Sequence, residues 1–343
     1  MNGLGPAAQR LRRAARHATA FLLVSVTLSL SAAGCGSQAA SRLYTYPGSP
    51  LLAAAARWKA GGHRAAAARL KAIAETPSAV WAAGQPGDIR EVRWVTRAAA
   101  RAHAIPVIVV YDLPDRDACG KFSTAAGPSA SGYESWIDQL AAAVGPGDDI
   151  LVVEPDALPD IVEGCLSPAQ NAERYQLLRY AMRRLGALPR ARVYLDAGNP
   201  GMFADPAQLA GPLRRAGLRY GRGFSANVSN FQWTARVVSW SQHLEEALGG
   251  TVGAVIDTSR NGRGPYTGPA APQWCNPPGR ALGPSPRLDP GPAGLDAYLW
   301  IKDPGASDGP CNGGPPAGQF WPQYAITLGR GRSAVSDSDH RPA

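Results

Sequence analysis

Short runs of Val, Ile and Leu alternate along this chain with longer stretches in which Ala, Leu and Arg recur at helical spacing. Seven runs read as strands, at residues 79–83, 105–111, 150–154, 192–197, 223–228, 252–257 and 296–302. The periodic stretches around them predict helices over 51–73, 88–103, 133–144, 170–187, 206–216 and 235–248. Consecutive β-branched residues with no polar alternation mark strands covered on both faces, the habit of a parallel sheet. Composition does not break between the repeats. The pattern therefore predicts one α/β domain, built on an open sheet or a closed barrel.

The polar residues are unevenly placed. They gather just past the C-terminal end of each strand: Trp81; Tyr111 with Asp115 and Asp117; Glu154 and Asp156; Asp196 and Asn199; Asn227 and Asn230; Asp257 and Arg260; Lys302 and Asp308. In a parallel barrel these ends share one face, the face on which barrel enzymes build their active sites. The run ILVVEPDALP, residues 150–159, is the sharpest case: a strand that delivers two carboxylates around a proline. Any one Asp or Asn there could simply open a loop or cap a helix. Repetition at successive strand ends is what argues for a site.

Composition and charge narrow the class. Apolar residues make up 45% of the 343, enough for a full core, and 39 Gly with 31 Pro predict many turns. The formal charge of +9 comes almost wholly from arginine, since Lys59, Lys71, Lys121 and Lys302 are the only lysines. Arg10, Arg12, Arg13 and Arg16 lie in a leader and the rest are scattered, so the basic stripe of a nucleic-acid binder is missing. That leader has a basic start, an apolar stretch from Ala18 to Leu30 and small residues before Cys35, the layout of a secretory signal. The stretch is short for a membrane span. Its SAAGC ending resembles a lipoprotein signal with Cys35 as the acylated residue, although Ala32 stands where Leu is usual. Residues 1–34 are thus expected to be a signal peptide and 35–42 a short linker, on an exported protein that is extracellular or lipid-anchored at the cell surface. Setting Cys35 aside leaves Cys119, Cys165, Cys275 and Cys311, an even number suited to two disulfides in an oxidising compartment. No C-x-x-C spacing suggests a zinc site.

Eight segments in order, VVYDLPDRDAC, LVVEPDALP, VYLDAGN, FSANVSNFQW, VIDTSRNGRGP, WCNPPGRALG, DAYLWIKDPGASDG and AGQFWPQYA, resemble the characteristic blocks of family 6 glycoside hydrolases, the endoglucanases and cellobiohydrolases. The resemblance spans about residues 43–328. It implies a distorted seven-stranded parallel β/α barrel, TIM-barrel-like, over 43–329, with 330–343 as a disordered tail. It also implies inverting cleavage of β-1,4-glucosidic bonds, a polysaccharide partner, no cofactor and no metal. A monomer is expected, and any membrane attachment would run through Cys35.

Inversion requires an acid for the leaving oxygen and a base for a water on the opposite face of the sugar, with carboxyls about 6.5–9.5 Å apart. By resemblance Asp156 is the acid, Asp117 holds that proton in place and can relay another from water, and Asp308 is the proposed base, a role left divided between Asp308 and Asp117. Glu154 would orient loops or meet a sugar hydroxyl. Tyr111 would press on the distorted sugar, and Asp196 would support developing charge or hold a hydroxyl. Lys302, Asn199 and Asn227 would meet substrate, and Ser123 or Thr124 would position water. Trp81, Trp233 and Trp274 are candidate stacking platforms for pyranose faces, each of them equally suited to plain packing. The family pattern pairs Cys119 with Cys165 and Cys275 with Cys311, pinning the loops of Asp117 and Asp308 and adding roughly 3–4 kcal/mol by loop closure.

The chain departs from the pattern in three places. Asn199 replaces a His, Ala306 replaces a Glu, and Ala118 is inserted before Cys119. Specificity follows hydrogen bonds to hydroxyls, so these changes bear on which glucan is preferred. The interval PCNGGPP is too short to roof a site, which points to an open cleft and internal cleavage. A reading of another class is a cell-surface carbohydrate-binding lipoprotein on the same scaffold, weakened as a catalyst by Asn199 and Ala306. Retention of Asp117, Asp156 and Asp308 favours the enzyme, because a mere binder has little use for a proton donor.

Overall fold

A computed structural model describes residues 42–123, 127–269 and 272–331. The leader, Cys35, most of the linker, Thr124 and nearly all of the tail fall outside the described residues. Seven parallel strands run in sequence order around one curled sheet: β1 (Val80–Ala82), β2 (Val107–Val110), β3 (Asp149–Val153), β4 (Ala191–Asp196), β5 (Gly223–Ala226), β6 (Gly253–Asp257) and β7 (Leu295–Leu299). An eighth, antiparallel strand, Arg287–Leu288, pairs with the outer edge of β7. The sequence pattern did not predict it; two residues are too short a run to show a period. β7 approaches β1 without forming a ladder. Ala79 N donates to Trp300 O at 2.9 Å and the Trp81 indole to Ile301 O at 2.8 Å. The result is a distorted α/β barrel, as expected.

Side-chain alternation divides each strand between two cores. Val107, Val109 and Tyr111 of the β2 segment, with Ile150 and Val152 of β3, Tyr194 and Val255, fill the interior. Ile108, Val110, Leu151, Val153, Leu195, Phe224 and Ile256 point outward, against the helices. Both faces of the sheet are therefore dry, which is why the strands read as unbroken apolar runs. Polar side chains are tolerated where strands end, and that forces the chemistry to the mouth.

Three predicted elements are subdivided. The single helix expected over 51–73 is two, Pro50–Ala60 and Arg64–Ala74, broken at Gly61 and at Gly62 with its φ of +83°. The strand expected over 105–111 is interrupted at Pro106, which has no N–H to donate, so Ala104–Ile105 pairs separately with Arg42–Leu43. The helix expected over 206–216 starts as a 3-10 turn, Pro206–Leu209, before Ala210–Arg215. Two helices were not foreseen: Ala157–Val162, directly after Asp156, and Pro322–Arg330.

Candidate active site

At the C-terminal mouth of the barrel lies a cleft of about 1010 Å³. Its walls include Asp156, Asp117, Asp308, Trp81, Tyr111, Ser123, Asn199, Trp274 and Lys302. These nine, all singled out in the sequence, are thus brought to one cavity from six strand ends and the loops beyond them.

The turn after β3 explains the Glu-Pro-Asp run. Glu154 and Asp156 both adopt left-handed backbone, φ +48° and +67°, flanking a proline whose φ is fixed. Such conformations are costly for residues with a Cβ and persist where surrounding structure holds them. The two bends send the carboxylates apart. Glu154 turns under the β2 loop, fully buried, and accepts from Asp112 N and Leu113 N, both at 3.2 Å, and from the Tyr133 hydroxyl at 2.9 Å. It orients the loop that carries Asp117 and meets no sugar hydroxyl. Asp156 turns into the cleft. Its amide is anchored on Asp196 Oδ2 at 3.1 Å.

Asp156 sits among like charges. Burial, then the negative charges of Asp196, Asp160 and Asp117, push its pKa well above the ordinary carboxylate range, opposed by Lys302. Its proton is therefore retained. Asp308 is surrounded by the reverse. Burial alone would raise its pKa, but Arg260 and then Lys302 overcome that and hold it below the usual value. Arg260 grips it with two parallel bonds of 2.9 Å, Lys302 Nζ lies 3.2 Å away and Asn276 N donates at 3.0 Å. Four donors fill the four acceptor positions of the carboxylate.

Asp117, with φ +55°, folds a short loop over itself. Its Oδ2 accepts from Phe122 N at 2.8 Å, Ser123 N at 2.6 Å and Ser123 Oγ at 2.9 Å. Ser123 Oγ also lies 2.9 Å from the Tyr111 hydroxyl, so a hydrogen-bonded line runs Tyr111–Ser123–Asp117 along the wall. Tyr111 stands edge-on to Trp81, with ring centroids 5.4 Å apart, and Lys302 Nζ lies 5.8 Å from the Trp81 ring centre. Trp274 is 38% exposed across the cleft and meets Phe122 edge-on.

Three of the proposed substrate contacts lie elsewhere. Asp196 is buried beneath the floor, holding Asp156 N, Gly198 N and Ser225 Oγ, and burial lifts its pKa to about 6. It shapes Asp156 rather than touching substrate. Asn227, fully buried, donates to Asp257 O at 2.8 Å and accepts from Gln232 N, so it ties strand ends together. Trp233 is 52% exposed but outside the cleft, its ring against Gly264, where a Cβ would fall 2.1 Å from the indole. Asn199 lines the cleft with its Oδ1 already taken by Gly201 N.

The supporting roles were not assigned from the sequence, although Asp257 and Arg260 stood among its strand-end residues. Arg260 is fully buried and also stacks on Phe231, 4.5 Å from the ring centre. Asp257 accepts from Ser229 N, Ser259 N, Ile301 N and Lys302 N, binding three loops to one carboxylate. Asp160 holds Ala118 N and Cys119 N and pairs with the buried Arg174 at 2.9 Å. Arg174 in turn donates to Pro114 O and Asp115 O. Disulfides Cys119–Cys165 and Cys275–Cys311 are both present, each beside a loop that carries a cleft carboxylate. A proton-bearing carboxyl and an ionised one in a cleft walled by aromatic rings can serve acid–base chemistry on a sugar.

The profile of the Glycosyl hydrolases family 6 matches residues 38–331. Endoglucanase 1 of Streptomyces sp. (strain KSM-9) is 43% identical over 276 residues, 79% of this chain and 74% of that protein. Endoglucanase A of Cellulomonas fimi is 41% identical over 267 residues, 77% of this chain and 56% of that protein. Among solved structures, an endoglucanase of Mycobacterium tuberculosis in complex with a thio-linked cellobioside superposes with a TM-score of 0.77 at 40% identity, covering 85% of this chain and 98% of that one.

Proposed function

Because the chain belongs to family 6 of the glycosyl hydrolases and is a cellulase-type glycoside hydrolase, we propose that it cleaves internal β-1,4-glucosidic bonds of cellulose-like glucans with inversion, as an exported enzyme. The observation that carries this reading is the opposed surroundings of two cleft carboxyls: Asp156 lies among Asp196, Asp160 and Asp117, which favour its proton, and Asp308 is gripped by Arg260 and Lys302, which favour its charge. Asp156 gives its proton to the leaving glycosidic oxygen, and the bond from that oxygen to the anomeric carbon breaks. Asp308, with every acceptor position filled, makes a poor proton acceptor; it supplies negative charge to the oxocarbenium-like transition state. The oxygen of a water bonds to the anomeric carbon from the opposite face, and its released proton passes along the hydroxyls of the cleft wall to Asp117. Tyr111 and Trp81 face the distorted sugar, and Lys302 and Asn199 meet its hydroxyls.

Internal cleavage is supported by the short link between Asp308 and Gly318 and by the names of the relatives. Those at 38–43% identity are called endoglucanases, and those at 31–32% cellobiohydrolases. Signal cleavage, acylation of Cys35 and a monomeric state belong to the same proposal.

The test is reducing-sugar release from carboxymethylcellulose, mixed-linkage β-glucan and xyloglucan by wild type and Asp156→Ala. Loss of release in the variant, with the α-anomer formed first by wild type, is expected. Equal rates in the two proteins would remove Asp156 as the acid. Tight binding by wild type without turnover would favour the carbohydrate-binding alternative.

A further inference from the structure

One wall of the cleft continues beyond its catalytic centre onto the helix Asp88–Arg101. That helix buries Val92, Val95, Thr96 and Ala99 against the barrel. Glu91 and Trp94, three residues apart and so neighbours on the helix surface, lie off this buried stripe. Glu91 lines the cleft together with Tyr46 and Gln85. Tyr46 bridges the two: its hydroxyl bonds to Glu91, and its ring meets that of Trp94 edge-on at 6.0 Å and 76°. Trp94 is nevertheless 49% exposed. Among the described residues only three large apolar side chains are exposed: Trp94, Trp233 and Trp274. Trp274 already belongs to the cleft, and Trp233 leans on Gly264.

A half-exposed indole held by a second ring, Tyr46, that itself lines the cleft has the form of a carbohydrate platform beside that cleft. Its position is set by Tyr46, so stacking a ring on it orders little that is still free. Sugar hydroxyls at the rim of the stacked ring would meet the Glu91 carboxylate and the Gln85 amide. We propose that Trp94 and Tyr46 form an outer subsite holding glucosyl units of the same β-1,4-glucan chain, farther from the cleavage point than the Trp81 platform. The ligand class rests on the function proposed above; the platform itself rests on the geometry of Trp94 and Tyr46. Long chains would gain affinity from this subsite and short oligosaccharides would not reach it, which favours mid-chain attack over action on fragments.

The experiment compares wild type, Trp94→Ala and Trp94→Phe on cellohexaose and cellotriose. In Trp94→Ala the ratio of kcat/KM for cellohexaose to that for cellotriose is expected to fall about ten-fold, mainly through KM, the size of effect one aromatic contact carries. Trp94→Phe should restore most of it. An unchanged ratio, or equal losses on both sugars, would overturn the subsite. Calorimetric titration with cellohexaose in the Asp156→Ala background judges it independently of turnover: weaker binding when Trp94→Ala is added supports the subsite, and equal binding with and without it overturns it. A wild type that binds cellohexaose without hydrolysing it would refute the proposed reaction while leaving this test intact.

Discussion

Asp156 and Asp308 line one cleft, and burial acts on both, yet their pKa values are driven in opposite directions. Asp156 is surrounded by Asp196, Asp160 and Asp117; Asp308 is clamped by Arg260 and Lys302. Burial pushes both toward the neutral form, so the charges around each carboxyl decide the outcome. A cleft that needs an acid and an anion at the same pH thus obtains both from one residue type by sorting the neighbours.

The strongest way to break the comparison is to remove the proton donor. Asp156→Ala is expected to cut kcat on β-glucan by roughly 10²–10⁴-fold, the usual worth of a positioned general acid. The loss should be much smaller on an aryl cellobioside whose leaving group departs without protonation. Steady-state rates on the two substrates check this, and equal losses on both would assign Asp156 to binding instead. The anion side has a structural signature. Arg260→Leu strands Asp308 in the interior with Lys302 as its remaining ion pair, and breaking a buried pair costs about 3–5 kcal/mol. Denaturant unfolding at pH 7 measures it. Arg260→Lys, which keeps the charge without the two-pronged geometry, should recover only part.

How the two sites were assembled also shows what a sequence reveals. The seven strands were legible because burial on both faces leaves unbroken Val, Ile and Leu runs. The cleft carboxylates were legible because strand ends are where such a barrel can keep polar groups. Their pairings were not. Arg260 reaches Asp308 across 48 residues, and Arg174 reaches Asp160 from the next helix; no local spacing announces either pair. The left-handed turns at Asp117, Glu154 and Asp156 use no glycine, so nothing in the composition marks them. This hid why Glu154 and Asp156 diverge, and why Asp196 lies beneath the floor instead of facing substrate. Trp94 carries no signal of its own within the helix predicted over 88–103, because its partner Tyr46 lies 48 positions earlier.

The comparison sharpens at Asp196. Its pKa of about 6 means that above that pH it is charged and helps to keep the proton on Asp156. Asp196→Asn keeps an oxygen for the amides of Asp156 and Gly198 but removes that charge. The pKa of Asp156 should then fall, and the alkaline limb of the kcat/KM profile should move to lower pH. Below about pH 6, where wild-type Asp196 is itself protonated, the two profiles should converge. A profile of unchanged shape would mean that burial, with the charges of Asp160 and Asp117, retains the proton without Asp196.

The smallest expected effect comes from the other end of the same strand. β3 closes with the turn to Asp156 but opens with Asp149, which is 1% exposed and whose two carboxylate oxygens have no hydrogen-bond partner among the described residues. Burial, then the charge of Asp148, lifts its pKa to about 7, against the pull of Arg190. Asp149 therefore has a raised pKa without a cleft, and that separates stability from chemistry. A carboxyl that titrates near 3.8 unfolded and near 7 folded binds its proton more tightly in the native state. Its contribution is complete below about pH 4 and is lost as pH rises toward 7. Asp149→Asn should flatten that decline, gaining stability at pH 8 and nothing at pH 4, with kcat unchanged. Unfolding curves at the two pH values measure the gain. A fall in kcat would place Asp149 in the reaction after all, and a gain at both pH values would trace the stabilisation to something other than the proton.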